Sequence, residues 1–331
     1  MPRIGLRVHR RLRRDHDTRV TIAFAVLGAT SLVASSLALI GRELSTSVQP
    51  LIVLAAFAHP LMGFAPFAVL SFALARRWPT TALALVVLAL ALTVQIPLHL
   101  GGVVAPGGTR VQILQANLRL GSATPTSLVD IVRTHQVDIL DTEELTIVER
   151  DRLVLAGLSR ELPYLFDDAR PEANGVAIWS RYPLSDEQRY TGFALGAMSA
   201  TVNIGATVKV TVFATHLAAP FPQPAGLWAA ELAHLHRILL AIAVRGPVIV
   251  GGDFNATTDT AQFRSLASGT YRDAAQQRGA GYLATYPADR WFPPLLGIDH
   301  ILLSRGNATS VKTLRLPGSD HRALLAQVRV G

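Results

Sequence analysis

Several short stretches of this 331-residue chain place Asn, Asp, Glu or His where an apolar, strand-like run stops. Asn117 closes Val111–Leu118, Glu143 and Glu144 follow Asp138-Ile-Leu, and His216 ends the alternating run Lys209–Thr215. Asp253 and Asn255 follow Val248-Ile-Val-Gly-Gly, Asp299 and His300 open a late strand, and Ser319-Asp320-His321 precede the last one. Side chains at strand ends line one rim of a sheet, where sites usually form. Asn, Asp and Glu supply the oxygen ligands that Mg²⁺ or Mn²⁺ takes, while His–Cys zinc spacing is absent. The remaining histidines and carboxylates are suited to positioning a water and stabilising a transferring phosphoryl group. A phosphate ester needs little else, because positioning and charge supply most of its catalysis.

Such groups need a layered frame to hold them. Pro125–His135 and Ala225–Arg245 carry helical periodicity, and Val176–Trp179, Val248–Val250, Ile298–Leu303 and Ala323–Val330 read as strands. Mixed strands and helices over some 220 residues imply an α/β or α+β layered domain. There is no internal repeat and no low-complexity segment.

Seven segments, QANLR, DILDTEE, GVAIWSRYPL, VFATHL, VIVGGDFNATTD, GIDHILLS and GSDHRALLAQV, resemble the endonuclease/exonuclease/phosphatase (DNase I-like) superfamily. GDFN alone is a weak signal, but seven segments in the family's order across nearly all of 110–331 are a strong one. The superfamily includes DNase I-like nucleases, abasic-site endonucleases, inositol-phosphate phosphatases and bacterial sphingomyelinases. The resemblance implies a four-layer α/β/β/α sandwich and Mg²⁺- or Mn²⁺-dependent hydrolysis of a phosphate ester. It places Asn117, Glu144 and Asp320 on the metal side, with Glu144 the principal ligand. It also implies that His216 faces the phosphate, that Asp253 positions or deprotonates the attacking water, and that Asn255 fixes that geometry. His321 matches the second essential histidine and Asp299 the carboxylate that holds its tautomer; either His321 or Asp253 takes the proton. Arg181, in SRYP, is a candidate contact to substrate phosphate or a surface ion pair, and His300 is structural. Glu143 departs from the family, which has Gln there.

The first hundred residues are a different material. Half the chain is apolar, and the surplus is concentrated in Val20–Ile40, Val48–Ala75 and Thr80–Leu100. The first is 21 residues without a charge, about 31 Å as a helix and enough to cross a bilayer. His59-Pro60 and Pro66 predict a kink in the second. Seven arginines precede the first run, Arg76 and Arg77 lie between the second and third, and only Arg42 lies between the first and second. Short Arg-rich segments stay cytoplasmic, so three crossings put the N-terminus inside and everything after Leu100 outside. A leader cleaved near Val33-Ala34-Ser35-Ser36 would remove the first run and leave that orientation unchanged. The expected order is a basic tail (1–19), a three-helix anchor (20–100), a Gly/Pro linker (101–109) and the phosphoesterase domain (110–331). The linker predicts a leash of about 15–18 Å.

Charge and loops bear on the substrate. Residues 1–100 carry ten Lys/Arg against three Asp/Glu, a net of +7, and residues 101–331 carry 21 against 20, a net of +1. Nucleic acid is therefore not favoured by the domain's charge, since duplex binding draws on a basic surface. No cysteine is present, which excludes disulfides, zinc-thiolate sites and thiol nucleophiles. Ala218–Trp228 and Trp291–Leu296 are apolar loops that either cover the domain's own core or meet a membrane interface. Location and loops favour a lipid-linked phosphate or pyrophosphate, with the bilayer as partner, in a layout resembling membrane-anchored glycopeptide-resistance proteins of the same superfamily. An extracellular nuclease and a non-catalytic surface scaffold are the alternatives.

Overall fold

The computed structural model describes the backbone of residues 3–102, 107–171 and 174–331, with side chains from residue 16 onward. The expected linker lies partly outside the described residues, at 103–106. The chain divides into two compact units, Met1–Glu43 with Phe57–Ile96, and Leu44–Ala56 with Pro97–Gly331.

The N-terminal part forms α1 (Arg3–Glu43), α2 (Gln49–Ala56), α3 (Ala58–Met62), α4 (Ala65–Leu74) and α5 (Trp78–Gln95). Proline lacks an N–H, and its ring clashes with the carbonyl four residues back. Four residues before Pro60 is Ala56, where α2 ends; four before Pro66 is Met62, where α3 ends. The single kinked run expected over Val48–Ala75 is thus three helices. His16–Glu43 and Trp78–His99 are long and apolar enough to cross a membrane, whereas Gln49–Ala56 and Ala58–Leu74 meet that test only as one bent pair. In the first unit, Ala38, Ala58, Ala65, Ala68 and Ala84 are fully buried, while Val26, Val33, Leu70 and Val86 are more than half exposed. Small residues inside and large apolar ones outside is the packing of helices that meet lipid.

The second unit holds β1 (Thr109–Asn117), β2 (Ile139–Glu143), β3 (Tyr164–Asp168), β4 (Val176–Ser180), β5 (Leu184–Arg189) and β6 (Gly196–Ile204). It continues with β7 (Val208–His216), β8 (Val248–Asp253), β9 (Arg272–Asp273), β10 (Asp299–Ser304), β11 (Gly306–Arg315) and β12 (Arg322–Val330). Among the described residues these make two six-stranded sheets, β11-β12-β1-β2-β4-β3 and β5-β6-β7-β8-β10-β9. Each has one central parallel pair, β1 with β2 and β7 with β8. Their inner faces meet in one buried cluster that includes Ile113, Ile139 and Ile178 from one sheet and Ala200, Val212 and Ile249 from the other.

Side chains alternate along a strand, so the outer faces carry a second apolar set. On the first sheet Leu114, Leu140 and Trp179 pack against α6 (Pro125–Thr134), α7 (Ile147–Leu155) and α8 (Leu158–Glu161). On the second, Phe213, Val248 and Val250 pack against α9 (Ala225–Ala243) and α10 (Ala261–Leu266). The result is the expected α/β/β/α order of layers. Between the sheets, a Cβ on Gly251 would lie 1.9 Å from Asp141 Oδ2. The bare backbone of β8 leaves room there for a buried carboxylate from β2.

Two stretches expected to belong to the anchor and linker join this unit. Ile52 of α2 is 2% exposed and sits in the cluster with Ala225 and Trp228. Gly281 N donates to Leu98 O and Gly102 N to Gln277 O, both at 2.9 Å, beside α11 (Ala274–Arg278). The start of the expected leash is therefore fastened to the domain.

Candidate active site

Strand register gathers the polar residues at one end of both sheets. Parallel pairing sets Asn117 beside Glu143 and His216 beside Asp253, and antiparallel pairing sets Asp253 beside Asp299. Asn117 Nδ2 donates to Glu144 Oε1 and to Asp253 Oδ2, both at 3.1 Å, and so ties the two sheets together. Its Oδ1 accepts from Arg119 N at 2.9 Å. Glu144 Oε2 accepts from Leu120 N at 2.8 Å, and Asp253 Oδ1 from Asn255 N at 2.9 Å. Arg119, Leu120, Glu144 and Asn255 all have φ between 48° and 54°. Left-handed backbone is costly for residues with side chains. Here it turns the chain sharply as it leaves β1, β2 and β8, bringing N–H groups back onto the polar side chains.

His216 Nε2 and His321 Nε2 lie 3.7 and 3.8 Å from Asp253 Oδ2. His321 Nδ1 is 2.8 Å from Asp299 Oδ2. Asp299 Oδ1 in turn accepts from Gln115 Nε2 at 2.8 Å, and the same amide nitrogen donates to Glu143 Oε2 at 2.9 Å. Ser319 Oγ donates to Asn117 O at 2.8 Å and accepts from His321 N at 3.0 Å. The Tyr286 ring lies against His321 with centroids 4.9 Å apart. Asn255 Nδ2 donates to Leu217 O at 2.9 Å and stands 3.5 Å from His216 Nε2.

Burial sets the charges. It disfavours the His321 imidazolium, but Asp299, Asp253 and Asp320 together outweigh it and raise His321 to about 10. Burial and the neighbouring Asp299 push Asp253 up to about 7 against the pull of His321. Burial also opposes ionisation of Asp299, yet His321 and its hydrogen bond hold that carboxyl below its ordinary value. Asp141 and Glu143, fully buried beneath the rim, are raised well above theirs, chiefly by desolvation.

Among the described residues, Asp253, Asp299 and His321 offer potential ligand atoms within 4.8 Å of one another. That trio is a poor ligand set, because an imidazolium already bound to Asp299 has no lone pair for a cation. Glu144 and Asp253 are joined through Asn117 and present carboxylate oxygens without a thiol, a donor chemistry that fits a hard divalent ion.

The sequence profile of the Endonuclease/Exonuclease/phosphatase family matches residues 114–321. The chain belongs to the endonuclease/exonuclease/phosphatase family. It is a phosphoester hydrolase of a family typically dependent on a divalent metal. No curated protein sequence matches it. Solved structures share its fold at low identity. D. rerio TDP2 complexed with single-strand DNA product is 14% identical, with a TM-score of 0.57, covering 67% of this chain and 100% of its own. An endonuclease/exonuclease/phosphatase family protein from Bacteroides thetaiotaomicron is 14% identical, with a TM-score of 0.54 and coverages of 68% and 99%. Sphingomyelinase C from Streptomyces griseocarneus is 15% identical, with a TM-score of 0.50 and coverages of 66% and 99%.

Of the site residues expected for this family member, Asn117, Glu144, His216, Asp253, Asn255, Asp299 and His321 meet in the network above. Asn117 meets it through its amide nitrogen, which bridges the two carboxylates, while its Oδ1 accepts from Arg119 N. Asp320 lies at the edge, 3.8 Å from the Arg119 guanidinium, which pairs with Asp289 at 3.1 Å. Arg181 is not brought to the site. It follows Ser180, which pairs with Ile139 at the opposite end of β2 from Glu143, and it bonds Asp138 and Val137 O. His300 is a satisfied buried histidine, at 2.8 Å from both Asp273 and Ala256 O. Sequence reading assigned no role to Ser319 and missed Gln115, Asp141, Arg119 and Tyr286. Period-two spacing was an available signal for two of them: Gln115 shares a strand face with Asn117, and Asp141 with Glu143.

Proposed function

We propose that this family member is a membrane-anchored phosphoesterase at the outer face of the cytoplasmic membrane, acting on a lipid-linked phosphate or pyrophosphate. The observation that carries the substrate class is an apolar rim. Trp291 is 95% and Phe221 68% exposed, on loops that leave directly from site residues. Phe221 follows His216 by five positions. Trp291 stands between Tyr286, which packs on His321, and Phe292, and two residues from Asp289, the partner of Arg119. Aromatic side chains with such exposure suit a lipid–water boundary.

Chain parity supports the topology. Leu44–Ala56 belongs to the catalytic unit, so the end of α1 and the domain share one side of the membrane. An even number of crossings must then lie between them. If Trp78–His99 crosses, parity requires Ala58–Leu74 to cross without α2, at about the shortest length a bilayer takes, and the arginines before α1 and at 76–77 remain on the opposite, cytoplasmic side.

In the proposed chemistry, Glu144, with Asn117 beside it and Asp320 at the edge, would hold a Mg²⁺ or Mn²⁺ ion, which would supply neutralisation of charge on the phosphate oxygens. Asp253, with a proton affinity near neutrality and its orientation fixed by Asn255 N, orients and deprotonates the attacking water. His321, kept as an imidazolium by Asp299, donates to the phosphoryl oxygens. His216, held near Asn255, faces the same group from the other side.

Full-length protein in detergent with Mg²⁺ tests the proposal against phospholipid vesicles, a polyprenyl pyrophosphate and DNA. Hydrolysis of a lipid ester is expected, and Asp253→Ala or His321→Ala should abolish it. Cleavage of DNA with neither lipid touched makes the protein a nuclease, and hydrolysis of none of the three makes it a scaffold.

A further inference from the structure

The loop that follows His216 has few means of holding itself in place. Between β7 and α9 it runs Leu217-Ala-Ala-Pro-Phe-Pro-Gln-Pro224, and its three prolines donate no backbone hydrogen bond. Two of its early N–H groups are taken by other elements, Leu217 N donating to Asp253 O and Ala218 N to Glu231 Oε2, and an internal side-chain bond runs from Ala219 N to Gln223 Oε1. The carbonyls on either side of the exposed Phe221 are satisfied from far away in the sequence. Gln49 Nε2 donates to Pro220 O at 2.8 Å and to Gln223 O at 3.1 Å.

Gln49 opens α2, in the connection after the first apolar helix, and two further contacts hold that connection to the catalytic unit. Ile52 is buried among Ala225, Trp228 and their neighbours, and Thr46 O accepts from Gln262 Nε2 at 2.6 Å. Leu217 O, at the other end of the loop, is the acceptor that holds Asn255 Nδ2. A continuous path therefore runs from α2 through the loop to Asn255, His216 and Asp253.

We propose that Gln49 is a positioning residue of the active site, and that Leu44–Ala56 is a strap which fixes the Leu217–Pro224 rim loop. The placement rests on packing alone; its kinetic consequence rests on the phosphoesterase reading. A site whose rim is held by the connection between membrane helices is complete only in the anchored chain. That couples the loop carrying Phe221 to the anchor.

The test uses the full chain in detergent and compares wild type with Gln49→Glu and Gln49→Lys. Glutamate keeps the size but sets oxygens against both carbonyls, whereas lysine keeps an N–H donor. Amide exchange over residues 217–223 is expected to quicken roughly tenfold in Gln49→Glu, with β1 and β8 unchanged, and to stay near wild type in Gln49→Lys. With Mg²⁺ and the soluble probe bis(p-nitrophenyl) phosphate, Gln49→Glu should lower kcat/KM about tenfold and Gln49→Lys should restore it. Unchanged exchange in Gln49→Glu overturns the strap. Faster exchange with wild-type kinetics overturns the positioning role. Should wild type hydrolyse no ester, the phosphoesterase reading fails on its own, and exchange still decides the strap.

Discussion

At the residue scale, the site is a chain of buried polar groups linked by hydrogen bonds and ion pairs. Gln115 holds Asp299, Asp299 holds His321, and His321 and His216 flank Asp253. With Asp253 as base, raised to about 7 before any cation binds, and His321 as cation up to about 10, activity in Mg²⁺ is expected to rise with pH on an acid limb below about 7 and to fall through about 10. A bound cation moves the acid limb lower. Asp253→Asn should cost roughly 10²–10⁴-fold in kcat with the fold retained, checked by steady-state rates and circular dichroism. Asp299→Asn removes the anion that supports the imidazolium, so the alkaline limb should move to lower pH; an unmoved limb would assign it to another group.

Glu143 gives a stability prediction at the same scale. Burial raises its carboxyl, followed by Asp141 and Asp299, while Gln115 opposes the shift. A raised carboxyl stabilises the fold only while protonated. That contribution is complete below the unfolded glutamate value and is lost as pH rises through the folded one. Glu143→Gln restores the residue usual in the family and keeps an acceptor for Gln115. It should raise Tm by several degrees at pH 8 and leave it nearly unchanged at pH 4, in melts run with EDTA.

At the element scale, bare backbone and proline placement decide the layout. β8 carries Gly251 where Asp141 enters from the facing sheet. Gly251→Ala should destabilise by about 1–3 kcal/mol in urea melts, and Asp141→Ala should recover much of that loss. Additive losses would mean that the two positions do not share the space. Prolines 60 and 66 end α2 and α3, and α2 packs on α9. The first and last helical runs, and most central strands, were legible in the sequence because both faces of a buried strand are apolar. β5, with Asp-Glu-Gln-Arg exposed along it, and β11, with three of its ten residues exposed and one buried, were not. Both are edge strands, whose polar composition reads as loop until a neighbouring strand supplies the pairing.

At the scale of the whole molecule, the proposed topology puts residues 44–56 and the catalytic unit on one side of the membrane and Arg76 and Arg77 on the other. The chain has no cysteine, so one introduced thiol is a unique reporter. Ser47→Cys and Ser268→Cys should react with an impermeant maleimide in intact cells, and Arg77→Cys only after permeabilisation. Opposite labelling of Ser47→Cys and Ser268→Cys would sink the parity argument.

The sequence by itself determined the family and the residue types of the site, because ligands for hard cations and phosphate must be particular side chains in a particular order. It also marked the apolar segments, since bilayer thickness imposes a minimum length that composition reveals. What only the tertiary structure decided was membership and distance. Arg181 lies at the wrong end of β4, Asn117 turns its amide nitrogen to two carboxylates, Gln115 joins Glu143 to Asp299, and Leu44–Ala56 belongs with the catalytic unit. Those facts depend on sheet register and on packing between residues 27 to 184 positions apart, which no local pattern along the chain encodes.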